Sequence, residues 1–424
     1  MLLLRKVTLV TSDQDLNGRS LDIFINAKGI IEQIGENLIA SAHTTVFEAK
    51  NAHVSIGWVD VGTQTCDPGF EHREDLASTA KAAMAGGFTV VCPFPNTEPA
   101  VQSKSEILYI KNKTKDYLVD FQPIGALSED IKGKNIAEML DMHHAGAVAF
   151  SDGRKSAQEG GLILRGLQYA KIFDGLVMNN PFDKSVAPHG QMHEGLTSTS
   201  LGLSGIPSMA EELMVQRDLQ LLEYAESRLH LHNISTEGAV EMVRKAKKKG
   251  LGVTASVAAL NLCFTDKILR GFDTNFKVLP PLRAQNDIDA CVKGLKDGTI
   301  DFISTNHTPI DVEGKDLEFP YAAFGAVTLE SAFGLINYYL HKRLTINALV
   351  DSWSVKAREI LNLEIPEIKV GATANLTLFN PDEEWIFTHK DLHSKSKNAP
   401  ALGQILRGRV LGVVNKSVYS FGVQ

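Results

Sequence analysis

The sequence predicts an α/β protein: a (β/α)8 TIM barrel joined to a small β-sandwich domain that is built from both ends of the chain. Three observations carry this prediction. Eight short β-like runs recur through the middle of the chain, most of them followed by a helical pattern. The two ends are strand-like instead. The chain has 424 residues, enough for a barrel of about 250 residues plus an accessory domain. On this reading residues 1–54 and 367–424 form the β domain, and residues 55–366 form the barrel.

At the N-terminal end "RKVTLVT" and "LDIFINAKGIIEQIG" alternate apolar and polar residues, with Lys28-Gly29 as a turn signal. At the C-terminal end "ANLTLFNP" and "RGRVLGVVNKSVYSFG" read the same way, with a turn at Asn415-Lys416. The barrel strands are expected at 55–62, 87–94, 121–127, 145–151, 175–180, 228–235, 252–257 and 301–306. Intervening segments such as "REDLASTAKAAMAGG" and "TEGAVEMVRKAKKKG" space their apolar residues helically and end in Gly. A doubly wound open sheet fits less well, because no GxGxxG follows the first strand. The stretch 181–216 is rich in Gly, Ser, Thr and His and follows a barrel strand, so it is expected at the catalytic face.

Hydrophobic residues make up 44% and charged residues 22%, which suits a globular core. A net charge of -7 argues against nucleic acid as a partner, and the basic run at 244–249 reads as a solvated helix end. The 4 cysteines form no CxxC pair, which fits a reducing compartment. The opening "MLLLRKVTLV" lacks a secretory core, and no apolar run reaches the roughly 18 residues of a membrane helix. A cytoplasmic protein without a membrane partner is expected.

A barrel builds its site from the C-terminal ends of its strands. A catalytic metal there needs imidazoles and carboxylates. The strand ends instead offer small residues and amides: Gly62, Gln64, Asn180, Asn233 and Asn306. Amide oxygens are neutral, weak ligands for zinc. His230 and His232 form an HxH on the sixth run, and strand alternation puts both on one face, with His232 turned away from Asn233 toward the helices. His307 is likewise expected to face away from the axis, and His189 and His193 lie in the long loop. Cys66 stands at the mouth with no histidine placed to activate it.

Several blocks, in order, resemble one family. They are "WVDVGTQTCDPGFEHREDLASTAKAAMAGGFTVVCPFPNTEPA", "GIPSMAEELMVQRDLQLLEYAESRLHLHNISTEGAVEMVR", "KVLPPLR", "DFISTNHTP", "AAFGAVTLESA" and "VGATANLTLFNP" followed by "SKSKNAPALGQILRGRV". They resemble the dihydroorotases of the longer bacterial type, within the amidohydrolase superfamily of metal-dependent barrel hydrolases. The resemblance implies zinc and de novo pyrimidine (UMP) synthesis. It also implies roles that this sequence does not fill. Gly62 and Gln64 stand at the family's His-x-His metal pair, and Asn180 and Asn233 at two further metal histidines. Asn306 stands at the aspartate that serves as ligand and proton shuttle. Cys66 replaces an arginine that grips the substrate carboxylate, Leu279 a substrate-contacting asparagine, and Ile310 a histidine. Asn96 matches a substrate-binding asparagine. Asp152 matches the carboxylate region that bridges two metals in some members, and Asp67, Pro68 and Gly69 remain as turn formers.

The expectation is therefore a dihydroorotase-like chain without metal or other cofactor. It would have lost hydrolysis of dihydroorotate, would act as a structural or regulatory partner of aspartate transcarbamoylase, and would form a homo-oligomer of its own. Two alternatives stand beside it. One is an active dihydroorotase or related cyclic amidohydrolase with a non-standard metal site. The other is a polar pocket in which Asn96, Gln64, Asn180, Asn233 and Asn306 hold an uncharged pyrimidine-like ring.

Overall fold

The computed structural model describes residues 1–422. The barrel strands run in sequence order around a closed ring. Trp58–Thr63, Phe88–Pro93 and Asp120–Phe121 pair in parallel. Single parallel bridges at Gly125, Phe150 and Val177 carry the ring onward. Val177–Asn179, Leu229–Leu231, Val253–Ala258 and Phe302–Ser304 complete it, again in parallel. Closure comes from the Gln64 amide donating to the His307 carbonyl at 3.0 Å. It is reinforced by buried Asp60, whose carboxylate accepts from the Thr305 amide at 2.8 Å and from the hydroxyls of Thr63 and Thr305.

Two apolar layers hold the ring. Inside it lie Val59, Val61, Val90, Cys92, Met178 and Phe302. Outside, fully buried Trp58 and Trp353 pack with ring centroids 5.4 Å apart, and Phe88 lies edge-on to Trp353. Local signals start and stop the helices. Asp75 and Ser103 form capping boxes for Leu76–Gly86 and Lys104–Thr114, and Gly87 ends the first of these in a left-handed turn. Glu237–Lys248 carries the basic run at its C-terminal end. There Arg244 binds Asp297 and Lys247 binds Asp301. No helix among the described residues is long and apolar enough to cross a membrane.

The chain ends build one eight-stranded sheet from residues 2–56 and 375–421. Its N-terminal strand Leu2–Leu9 pairs antiparallel with Ser20–Ile25 and parallel with His53–Ile56, and Asn375–Ile386 continues the sheet antiparallel to His53–Ile56. The run 55–62, read from sequence as one barrel strand, is two strands in two units. His53–Ile56 belongs to the terminal sheet and Trp58–Thr63 to the barrel. Gly57 divides them at a close approach, since a Cβ there would lie 2.0 Å from Asn375 Oδ1 and 2.1 Å from Thr89 Oγ1. The fourth expected strand, 145–151, is also shorter than the sequence suggests. Helix Met139–Ala145 ends on left-handed Gly146, and strand pairing is confined to Phe150.

Candidate active site

Asn180, Asn233 and Asn306 meet at the C-terminal face of the barrel, around a cavity they share with His232 and Arg154. Its free volume is about 30 Å³. That is room for one or two waters, whereas pockets for drug-sized ligands run from about 300 to 1,000 Å³. The amides are largely committed to the protein. Asn180 Nδ2 donates to the Gly153 carbonyl at 2.7 Å. Asn233 Oδ1 accepts from Ser304 Oγ at 2.6 Å, and Asn306 Nδ2 donates to the Leu279 carbonyl at 3.2 Å.

His232 departs from expectation: it faces the barrel interior and borders the cavity beside Asn233. The sixth strand ends at Leu231, and Asn233 takes a left-handed turn at φ 59°, so strand alternation no longer governs these side chains. The His232 ring lies edge-on to Phe94 at 5.1 Å, and its Nδ1 is 3.1 Å from Ser256 Oγ. Its Nε2 is buried without a partner among the described residues and lies 2.6 Å from where a Cβ on Gly62 would stand. The imidazole thus fills the space that a side chain at position 62 would need. Burial lowers its pKa to about 3, so the ring is neutral. His230 lies deeper, stacked on Phe302 at 4.8 Å, with its ring nitrogens on Thr254 and Ser256.

Gly62, Gln64, Cys66, Asn96 and Asp152 do not border the cavity. Asn96 clamps three strand tips. Its Oδ1 accepts from the Arg154 amide at 2.9 Å and from Gln64 Nε2 at 3.3 Å, while its Nδ2 donates to the Asp152 carbonyl at 3.0 Å. The Asp152 carboxylate turns to Ser128, accepting from its amide at 2.8 Å and its hydroxyl at 2.5 Å. The structure therefore does not bring Gln64, Asn96 and Asp152 into one pocket with the other amides. Burial pushes the Cys66 thiol up to about 12, so it stays protonated near neutral pH. His307 is buried, and its Nδ1 accepts from the amides of Thr328 and Leu329. His189 is exposed in the long loop.

Sequence reading missed the charged groups around the mouth. Arg283, just after "LPPL", pairs with Glu211 at 3.3 Å, and each is only 2% exposed. Arg283 also donates to the Ile206 carbonyl, and to His193 Nδ1 at 3.3 Å, which docks the loop 181–216 on the barrel. Arg154 follows the "SDG" at the end of the fourth run and donates to the Phe324 carbonyl at 2.8 Å. Lys277 and Lys315 hold the same segment through carbonyls, Lys277 at Phe319 and Lys315 at Ala323.

These lysines make the fold sensitive to pH. Burial, helped by the nearby Arg154 and Lys277 cations, lowers Lys315 from 10.5 to about 7, and burial lowers Lys277 to about 8. Between about 7 and 10.5 the unfolded Lys315 holds a proton that the folded one has released. Stability is therefore lowest below that window and rises as pH climbs through it. We expect the melting temperature, read by differential scanning fluorimetry, to rise from about pH 7 to about pH 9. Lys315→Met should flatten part of that rise, and an unchanged slope in the variant would refute it.

The comparisons with known proteins bear on this mouth. The Dihydro-orotase-like family profile matches residues 53–239. A dihydroorotase of Ruminiclostridium cellulolyticum is 39% identical over 405 residues, covering 93% of this chain and 94% of that one. One from Citrifermentans bemidjiense is 40% identical over 399 residues, covering 94% of each. This chain belongs to the dihydroorotase family. Solved structures show the fold at greater distance. The L-hydantoinase (dihydropyrimidinase) of Arthrobacter aurescens superposes with a TM-score of 0.86 at 21% identity, covering 100% of this chain and 97% of that one. A D-hydantoinase superposes with a TM-score of 0.82 at 22% identity. In this dihydroorotase-family chain, the strand tips that face the cavity carry three asparagines, one neutral histidine and Arg154.

Proposed function

We propose that this chain does not hydrolyse dihydroorotate and serves pyrimidine synthesis as a structural or regulatory partner of aspartate transcarbamoylase. One observation carries the reading: the His232 ring fills the space beside Gly62. A zinc site needs three or four converging nitrogen, sulfur or carboxylate donors. Among the described residues no group of 3 or more His, Cys, Asp or Glu side chains is placed to hold a metal. The donor set at the mouth does not fit the family's zinc.

Among the described residues, the groups at the family's site positions offer no base in its place, and Lys315, which titrates near 7, spends its Nζ on the Thr274 and Ala323 carbonyls. Asn306 has no basic lone pair and spends its Nδ2 on the Leu279 carbonyl. His232, at about 3, and Cys66, at about 12, titrate far from neutrality on the wrong sides for a base. The Asp60 carboxylate is tied to Thr63 and Thr305. What remains is an intact barrel with a docked loop and a terminal sheet, the form of a scaffold. Its free, buried cysteines accord with a cytoplasmic setting.

The shared name of the relatives favours a second reading, an active dihydroorotase that uses another ligand set. Metal analysis of the purified chain with a dihydroorotate turnover assay separates the two. We expect well under one zinc per chain and no turnover above the buffer rate. A stoichiometric metal together with turnover would overturn the proposal. For the partnership, co-elution with aspartate transcarbamoylase on a sizing column at micromolar concentration is expected, and clean separation of the two proteins would rule it out.

A further inference from the structure

Four polar groups border the small cavity with valences that the described residues leave open. The Arg154 guanidinium has one hydrogen bond, to the Phe324 carbonyl, and no carboxylate partner among the described residues. Asn180 Oδ1 is buried with no donor among the described residues, its amide nitrogen being committed to Gly153. His232 Nε2 is buried with no partner among the described residues, on a residue only 1% exposed. Asn233 borders the same space, with its oxygen already taken by Ser304 and its amide N–H groups uncommitted. Glu211 and Arg283 border the cavity too, but they neutralise each other at 3.3 Å; beside that pair the mouth offers one unpaired cation, one neutral donor, one orphaned acceptor and one neutral imidazole.

Unmatched buried groups of this kind cost stability unless something fills them. A guanidinium presents a planar fork of N–H donors that matches two oxygens of an oxyanion. Asn180 Oδ1 needs a donor, which a fully deprotonated carboxylate cannot supply. An oxyanion that still carries an O–H satisfies both at once. Size narrows the class further. The enclosed free space is small, about 30 Å³, which favours a compact ion over a ring.

We propose that the barrel mouth binds a small hydrogen-bearing oxyanion, bicarbonate or hydrogen phosphate, with Arg154 taking its charge and Asn180 accepting its O–H. The ion stabilises the fold by occupying the mouth, and its binding does not depend on whether the chain hydrolyses dihydroorotate. Arg154 remains a cation near neutral pH, since burial lowers its pKa only to about 10. Cys66 beside it is a neutral thiol and does not compete as an anion.

The test is thermal denaturation of the full chain with bicarbonate, phosphate, formate or chloride at matched ionic strength. At roughly 10 mM, bicarbonate or phosphate should raise the melting temperature by several degrees over chloride. Formate, which brings no O–H, should shift it less. Arg154→Gln should weaken the effective ion at least about tenfold by calorimetric titration. Asn180→Asp, nearly isosteric, sets a fixed carboxylate beside Arg154 and should abolish binding; it keeps the question decidable if Arg154→Gln fails to fold. A larger shift with bicarbonate or with phosphate identifies which ion the site takes. Equal shifts in all four salts, shifts unchanged in both variants, or crystals soaked in both ions that show water alone at Arg154 would each overturn the proposal.

Discussion

Gly62→Ala is expected to destabilise the protein by about 3 kcal/mol, and Gly62→His by more, as read by urea denaturation. Two costs add. Gly62 sits at φ 89°, where a residue with a Cβ is strained by roughly 1–2 kcal/mol. The new Cβ would also lie 2.6 Å from His232 Nε2 and 2.8 Å from Phe94 Cε2. Neither ring yields easily. His232 is held at Ser256, and the Phe94 amide donates to the Thr63 carbonyl at 3.0 Å. Overpacking of this kind costs a further 1–3 kcal/mol or so. His232→Ala removes the main obstacle, so a double-mutant cycle of Gly62→Ala with His232→Ala should show a favourable coupling of about 1 kcal/mol or more. If Gly62→Ala alone stays within about 0.5 kcal/mol of the wild type, the imidazole does not fill that space and the main support for the inactive reading falls with it. For the same reason, imidazoles restored at Gly62 and Gln64 alone should not rebuild a metal site, because His232 stands in the way.

Glu211→Ala or Arg283→Ala should each cost about 3–5 kcal/mol, because either change strands its partner as a lone buried charge. Both side chains are 2% exposed and lie 3.3 Å apart. Glu211 also accepts from the Ser235 amide at 2.6 Å and the Thr236 amide at 3.0 Å, so its loss opens two backbone donors at the end of the sixth strand. Arg283 holds the Ile206 carbonyl at 3.0 Å, so its loss undocks the long loop. Limited proteolysis should accordingly nick 181–216 faster in Arg283→Ala than in the wild type. The double variant Glu211→Leu with Arg283→Met should be much less destabilised than the sum of the two single alanine variants, since it removes both charges together. Single losses below about 1 kcal/mol would show that this network does not hold the mouth together.

Much of the fold is legible along the chain, because its signals are local. The capping residues Asp75 and Ser103 and the left-handed glycines after helices report their own neighbourhoods. So does the alternation of short apolar runs with helical spacing, which yields the ring of strands in order. The run 55–62 misleads because nothing local distinguishes a strand that passes from one sheet to another. Gly57 takes that role only from Asn375 and Thr89, which are distant in sequence.

The site divides along the same line. Residue chemistry placed amides at Asn180, Asn233 and Asn306, and the fold brings these to one cavity. Which way His232 points could not be read from alternation, because the strand stops at Leu231 and Asn233 turns left-handed. That Arg154, His232 and Asn180 share a space, while Asn96 and Asp152 turn to Arg154 and Ser128, follows from how eight strand ends converge. Composition and periodicity determine which elements form, since burial and backbone hydrogen bonding act over a few residues. Which groups face one another across the barrel is a matter of turn dihedrals and long-range packing, and only the folded chain decides it.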